Sequence, residues 1–244
     1  MTTTPATRSG RSRRPGNTPL SLVACYGGTF DPVHLGHVGA VHDLLARLDP
    51  DAVRLIPCHV PPHRGPTGAS AQQRVEMLRL AAADLGRCEL DLRELDRPGP
   101  SYTVDTLRAL RAELGEGTAL CWVLGSDALA QLDRWHQWER LPELAHLIVL
   151  DRPGTRLPTQ GAVAEFVRAR RVASPAALRQ SRAGGLWFLH QTPMDLSATE
   201  VRGIIAAGGS AAHLLPPDVW AYIRREGLYR GHGPDAAEAT AESE

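Results

Sequence analysis

Apolar positions along this chain follow two periods. Short, nearly continuous runs occur at residues 20–26 (LSLVACY), 52–57 (AVRLIP), 119–124 (ALCWVL) and 146–151 (HLIVLD). Their length and their lack of alternation predict strands buried on both faces. Residues 88–92 and 186–190 read as two further short strands. Between the runs, apolar residues recur at spacings of three and four. Residues 32–48 carry Val38, Val41, Leu45 and Leu48, with Leu44 beside that stripe, which predicts an amphipathic helix. Asp31 suits its N-cap and Pro32 its first helical position. Further helices are predicted over 70–85, 102–114, 141–144, 199–207 and 217–226, the first opened by a capping box at Ser70 and Gln73. Strands that alternate with helices predict an α/β protein: a Rossmann-like, doubly wound parallel sheet in a single domain. Such sheets bind ligands beyond the C-terminal ends of their strands.

Composition narrows the chemistry. All 27 basic side chains are Arg, with no Lys, and Asp plus Glu also number 27. The absence of Lys excludes a Walker P-loop, a Schiff-base enzyme and a kinase-type catalytic lysine. Balanced charge gives no field that favours nucleic acid or an acidic membrane. No apolar run approaches the roughly 18 residues of a membrane span. The basic N-terminal stretch has no apolar segment behind it, so it does not read as a secretory signal. Cys25, Cys58, Cys88 and Cys121 show no tight spacing, which fits free thiols in a reducing cytoplasm. Residues 1–19 read as a disordered basic tail and 231–244 as a disordered acidic one, leaving 20–230 as the folded domain. Nothing in the sequence decides between a monomer and a homo-oligomer.

The segment Gly27-Gly28-Thr29-Phe30-Asp31-Pro32-Val33-His34-Leu35-Gly36-His37 joins the first strand to the first helix. Two glycines let backbone approach a ligand closely, and a helix N-terminus favours phosphate. Helical spacing puts His34 and His37 on one side at the first turn. There, two imidazoles are suited to donate hydrogen bonds to phosphate oxygens. As a metal pair they lack a carboxylate at ligand spacing. A second candidate anion site is Ser197-Ala198-Thr199-Glu200-Val201-Arg202, where hydroxyls and a guanidinium open a late helix; Ser197 and Glu200 also match a capping box. Arg64 follows a stiff Pro61-Pro62 pair, and Asp127 follows the strand 119–124, where it is also suited to cap the next helix. Trp135 and Trp138 are each candidates for core or for a ring platform. Ser126 is not part of a GxSxG elbow, which argues against a serine hydrolase.

The segment GGTFDPVHLGH resembles the signature of the HxGH nucleotidyltransferase superfamily. IPCHVPPHR (56–64), GPSYTVDTL (99–107), VLGSDAL (123–129), HLIVLDRPG (146–154), LSATEVR (196–202) and IRREGLYR (223–230) resemble, in order, the bacterial nicotinate-mononucleotide adenylyltransferases. The resemblance implies transfer of the adenylyl group of ATP to nicotinate mononucleotide, giving deamido-NAD and pyrophosphate in NAD biosynthesis. It implies Mg²⁺ brought with ATP, and no covalent enzyme intermediate. It further implies that ATP meets Gly27, Gly28, Thr29, Phe30, His34, His37, Arg64, Gly125, Asp127, Ser197, Thr199 and Arg202. His34, His37 and Arg202 would act on the reacting phosphates. The pyridine ring would stack on Trp135 beside Tyr102, with its carboxylate at the backbone N–H groups of Thr103 and His136. Trp138 stays with the core. Ala198 replaces a serine of the family pattern, and Arg64 stands where many relatives carry Lys. The alternatives are a sibling adenylyl- or cytidylyltransferase with another phosphate acceptor, and a non-catalytic nucleotide sensor.

Overall fold

The computed structural model describes residues 19–60, 67–151, 155–190, 194 and 196–231. Six parallel strands form one sheet: β1 (Ser21–Gly28), β2 (Ala52–Pro57), β3 (Cys88–Leu90), β4 (Thr118–Gly125), β5 (His146–Asp151) and β6 (Leu186–His190). Their spatial order is β3-β2-β1-β4-β5-β6. The chain winds outward from β1 in one direction, then returns to start again at β4. The crevice between the ends of β1 and β4 is therefore the topological switch point, where open α/β sheets bind their ligands.

Both faces of the sheet are covered, which is why its strands read as continuous apolar runs. In β1, Leu22, Ala24 and Tyr26 face one core, while Val23 and Cys25 face the other. β4 alternates likewise, with Ala119, Cys121 and Val123 opposed to Leu120, Trp122 and Leu124. The first core is closed by helices α1 (Leu35–Arg47), α2 (Ala71–Ala82), α7 (Ala198–Ala206) and α8 (Pro217–Glu226), through residues such as Leu44, Leu78, Val201 and Ile223. The second is closed by α3 (Thr103–Leu114), α4 (Ser126–Leu129), α5 (Leu141–Leu144) and α6 (Ala162–Arg170), through Leu107, Leu129, Leu141 and Val163. Each fully buried Leu stabilises the fold by about 1.5–3 kcal/mol relative to an exposed one.

Two features depart from the reading of the sequence. The helix predicted from Pro32 begins at Leu35, with His34 at its N-cap. The Asp31–Pro32 bond is cis, and both residues belong to the turn before the helix. Helix α6 was not predicted. It starts at an uncapped Gly161 and buries only Val163 and Ala164, so neither a cap nor a strong stripe announces it. The capping box at Ser70 and Gln73 forms as expected, with N–H···O distances of 3.2 and 2.9 Å. The expected tails lie outside the described residues, except Pro19 and Gly231. Among the described residues no helix is long and apolar enough to cross a membrane.

Candidate active site

The ends of β1 and β4, the start of α7 and the loop after α4 enclose a cleft of about 680 Å³. That volume is in the range of small-molecule sites. Fifteen of the sixteen expected site residues line it: Gly27, Gly28, Thr29, Phe30, His34 and His37; Tyr102 and Thr103; Gly125 and Asp127; Trp135 and His136; Ser197, Thr199 and Arg202. Arg64 lies outside the described residues.

The loop after β1 is built by close packing. A Cβ on Gly27 would collide with the Trp122 ring, which crosses under the strand end from β4. Phe30 holds φ +50° and is buried, its ring edge-on to Tyr26 at 5.6 Å and to His37 at 5.1 Å. A left-handed backbone at a non-glycine residue costs about 1–2 kcal/mol and needs such surroundings to persist. His34 is buried at the N-cap, and its backbone N–H donates to Nδ1 of His37 at 3.2 Å. The two rings lie 3.8 Å apart, tilted by 36°. They stand together where the N-terminus of α1 opens on the cleft.

Asp31 is not the helix cap that the sequence suggested. Its carboxylate accepts the N–H groups of Gly68 (2.8 Å) and Ala69 (3.1 Å) and the Tyr229 hydroxyl (2.8 Å). Burial, with the Asp31 carboxylate beside it, pushes the Tyr229 hydroxyl far above its ordinary pKa. Arg202 reaches across from α7 to donate to the Asp31 backbone carbonyl at 2.7 Å, and to Thr199 Oγ1 at 3.4 Å. Asp31 therefore ties the start of α7 to the first loop. Ser197 caps α7 by accepting the Glu200 N–H at 3.1 Å, which leaves its O–H available to donate.

At the opposite end the Tyr102 ring stacks on His136, 4.5 Å between centroids and 34° between planes. Trp135 is half-buried against the second core and lines the cleft. Trp138 does not line the cleft; it is partly buried against the second core and packs on Phe166 at 5.6 Å. Asp127 is exposed at the mouth; Gly125, not Asp127, stands at the N-cap of α4. Several lining residues were missed by the sequence reading, among them Trp122, Cys58, Ser101 and Glu94. Glu94 is buried and accepts Thr106 Oγ1 at 2.6 Å; burial pushes its carboxyl up, against hydrogen bonds from Thr106 and Ser101. No local pattern marks it, because its partners come from a separate helix and turn. Among the described residues, no group of three or more His, Cys, Asp or Glu side chains is placed to hold a metal.

The cytidylyltransferase-like family pattern matches residues 25–204, which includes both candidate anion sites. The chain is 47% identical over 205 residues to a protein of Cellvibrio japonicus, covering 84% of this chain and 97% of that one. It is 47% identical over 222 residues to one of Stenotrophomonas maltophilia, covering 88% and 100%. Each is named a probable nicotinate-nucleotide adenylyltransferase. The chain belongs to that family. The fold agrees: a Plasmodium falciparum nicotinic acid mononucleotide adenylyltransferase, solved with NaAD, superposes with a TM-score of 0.64 at 16% identity, over 86% of this chain and 97% of that one. Membership of the nicotinate-nucleotide adenylyltransferase family gives the cleft a chemical frame. The paired imidazoles, the start of α7 and the aromatic end are regions of one continuous pocket on a shared scaffold.

Proposed function

We propose that this chain transfers the adenylyl group of ATP to nicotinate mononucleotide, releasing pyrophosphate and deamido-NAD. The observation that carries the reading is the single cleft at the switch point. It joins two imidazoles and an Arg-bearing helix N-terminus at one end to an aromatic platform at the other. A phosphate oxygen of the mononucleotide attacks the α-phosphorus of ATP in line. The new P–O bond forms as the bond from the α-phosphorus to the bridging oxygen breaks, and that electron pair leaves with pyrophosphate. The attacking phosphate is already ionised, so the protein supplies position and charge rather than a nucleophile.

Gly27, Gly28, Thr29 and Phe30 form the floor against which the triphosphate lies. His37 and His34 donate to the α- and β-phosphates, where charge grows in the transition state. Ser197, Thr199 and Arg202 hold the departing pyrophosphate, aided by the N-terminal end of the α7 dipole. Arg64 adds a further positive charge to the triphosphate. Gly125 and Asp127 receive the adenosine. Trp135 and Tyr102 enclose the pyridine ring, and the N–H groups of Thr103 and His136 take its carboxylate. The donors at the phosphate end do not make a resident magnesium site, since the Asp31 carboxylate is already committed to Gly68, Ala69 and Tyr229. Magnesium enters as part of the MgATP substrate. Cys25, Cys58, Cys88 and Cys121 form no disulfide, which fits a reducing cytoplasm.

The test is pyrophosphate release from MgATP with nicotinate mononucleotide, nicotinamide mononucleotide and phosphopantetheine offered in parallel. Turnover with the first, well above the other two, is expected. Turnover only with phosphopantetheine, or nucleotide binding without any pyrophosphate, would sink the reading.

A further inference from the structure

Arg74 has no place in the machinery above, yet its side chain is among the largest that the fold buries completely. It stands on α2, one turn beyond the Ser70 cap. Nη1 donates to the backbone carbonyl of Thr29 at 2.8 Å, and Nη2 to that of His59 at 3.4 Å. Thr29 belongs to the loop after β1 and His59 to the loop after β2. His59 continues the link, because its N–H donates to Ser101 Oγ at 3.0 Å in the turn before α3.

A buried guanidinium stabilises a fold only when a well-placed partner offsets its lost hydration, and apolar residues of similar volume often serve stability better. Here the matching groups are two neutral carbonyls. The Nε atom is buried with no partner among the described residues. The Asp31 carboxylate pairs with Arg202, at 3.8 Å. Arg202 and Arg74 thus meet the same loop two residues apart, at the carbonyls of Asp31 (2.7 Å) and Thr29 (2.8 Å). Two guanidiniums and one carboxylate leave one positive charge there. In a poorly hydrated setting such a charge acts on phosphates with little screening.

We propose that Arg74 is a positioning residue of the triphosphate site. It sets the spacing of the loops after β1 and β2 through their carbonyls, and lends them a buried positive charge. The proposal rests on the adenylyl-transfer reading and adds to it a residue that touches no substrate.

The experiment compares the full-length chain with Arg74→Met and Arg74→Lys. Calorimetry measures the affinity of each for magnesium α,β-methylene-ATP and, separately, for nicotinate mononucleotide, at a temperature well below its melting point. Arg74→Met leaves the carbonyls of Thr29 and His59 without their donor, so it is expected to melt somewhat below wild type, yet to bind the ATP analogue at least about tenfold more weakly, with the mononucleotide affected less than about threefold. Arg74→Lys, which keeps the charge but not the fork, is expected to fall between. An unchanged analogue affinity in Arg74→Met overturns the proposal. So does an equal loss for both ligands with a lowered melting point, the mark of a purely structural residue. If Arg74→Met does not fold, Arg74→Lys carries the same test; failure of both to fold overturns it too. A wild type that binds the analogue but releases no pyrophosphate defeats the functional reading alone, and leaves the Arg74 comparison readable.

Discussion

The backbone N–H of His34 donates to Nδ1 of His37 across 3.2 Å. An imidazole nitrogen that accepts carries no proton, so the neutral His37 ring bears its hydrogen on Nε2. The helix cap thereby selects the tautomer whose donor is Nε2–H, as the proposed phosphate contact requires. His37→Asn keeps an acceptor near the Nδ1 position and loses the far donor. It is expected to lower kcat by about 10²–10³, the usual loss on removing an oxyanion donor, with a melting temperature close to wild type. Steady-state kinetics beside a thermal melt check this. A wild-type rate would remove His37 from the chemistry.

Gly27→Ala is expected to cost about 1–3 kcal/mol, because the new methyl meets the Trp122 ring and overpacked cores carry that penalty. Urea unfolding measures it. Trp122 fluorescence in the native state should shift as the indole gives way, and an unaltered midpoint would refute the packing account.

Asp31→Asn tests the anchor of the first loop. Among the described residues, every group that meets the carboxylate side chain at hydrogen-bond distance donates: Gly68 N–H, Ala69 N–H and the Tyr229 hydroxyl. An amide must turn its own NH₂ toward at least one of them, so at least one bond is lost. The expected cost is about 1–3 kcal/mol, with a raised KM for ATP. Tyr229→Phe removes a single bond and should show a smaller loss of about 0.5–1.5 kcal/mol by the same denaturant series.

His146 makes stability depend on pH. Its Nδ1 accepts the Gly185 N–H at 2.9 Å, and its Nε2 lies 2.8 Å from the Ser181 carbonyl, so the ring is held neutral with Nε2 protonated. Burial lowers its pKa below the ordinary 6.5. The unfolded chain therefore takes up a proton before the folded one does. The contribution is fully present above about 6.5 and is lost as the pH falls through that value toward the lower folded pKa. Melting temperatures read from about pH 7.5 down to about pH 5 should fall less steeply for His146→Gln than for wild type.

The strands and the first loop were legible because their signals are local. Continuous apolar runs and a Gly-Gly step before a helix depend on near neighbours, and the sheet realised them within a few residues. What stayed hidden depends on distant partners. Asp31 followed by Pro32 satisfies the local rules for a helix start, but groups at 68, 69 and 229 take its carboxylate instead. Arg74, beside Gln73 and ahead of the apolar residues of α2, looks like a surface charge until the fold brings two loop carbonyls to it. Glu94 enters the cleft only because α3 and the turn before it wrap its carboxylate. The aromatic pairing of Tyr102 with His136 likewise needs two segments that only the fold brings together.

The bond between Tyr229 and Asp31 spans 198 positions of sequence. Synthesis runs from the amino end, so the loop after β1 is made well before its fastener. A nascent chain can therefore lay down all six strands before the opening turn receives its last tether, and that bond closes only once the residues behind α8 have been made.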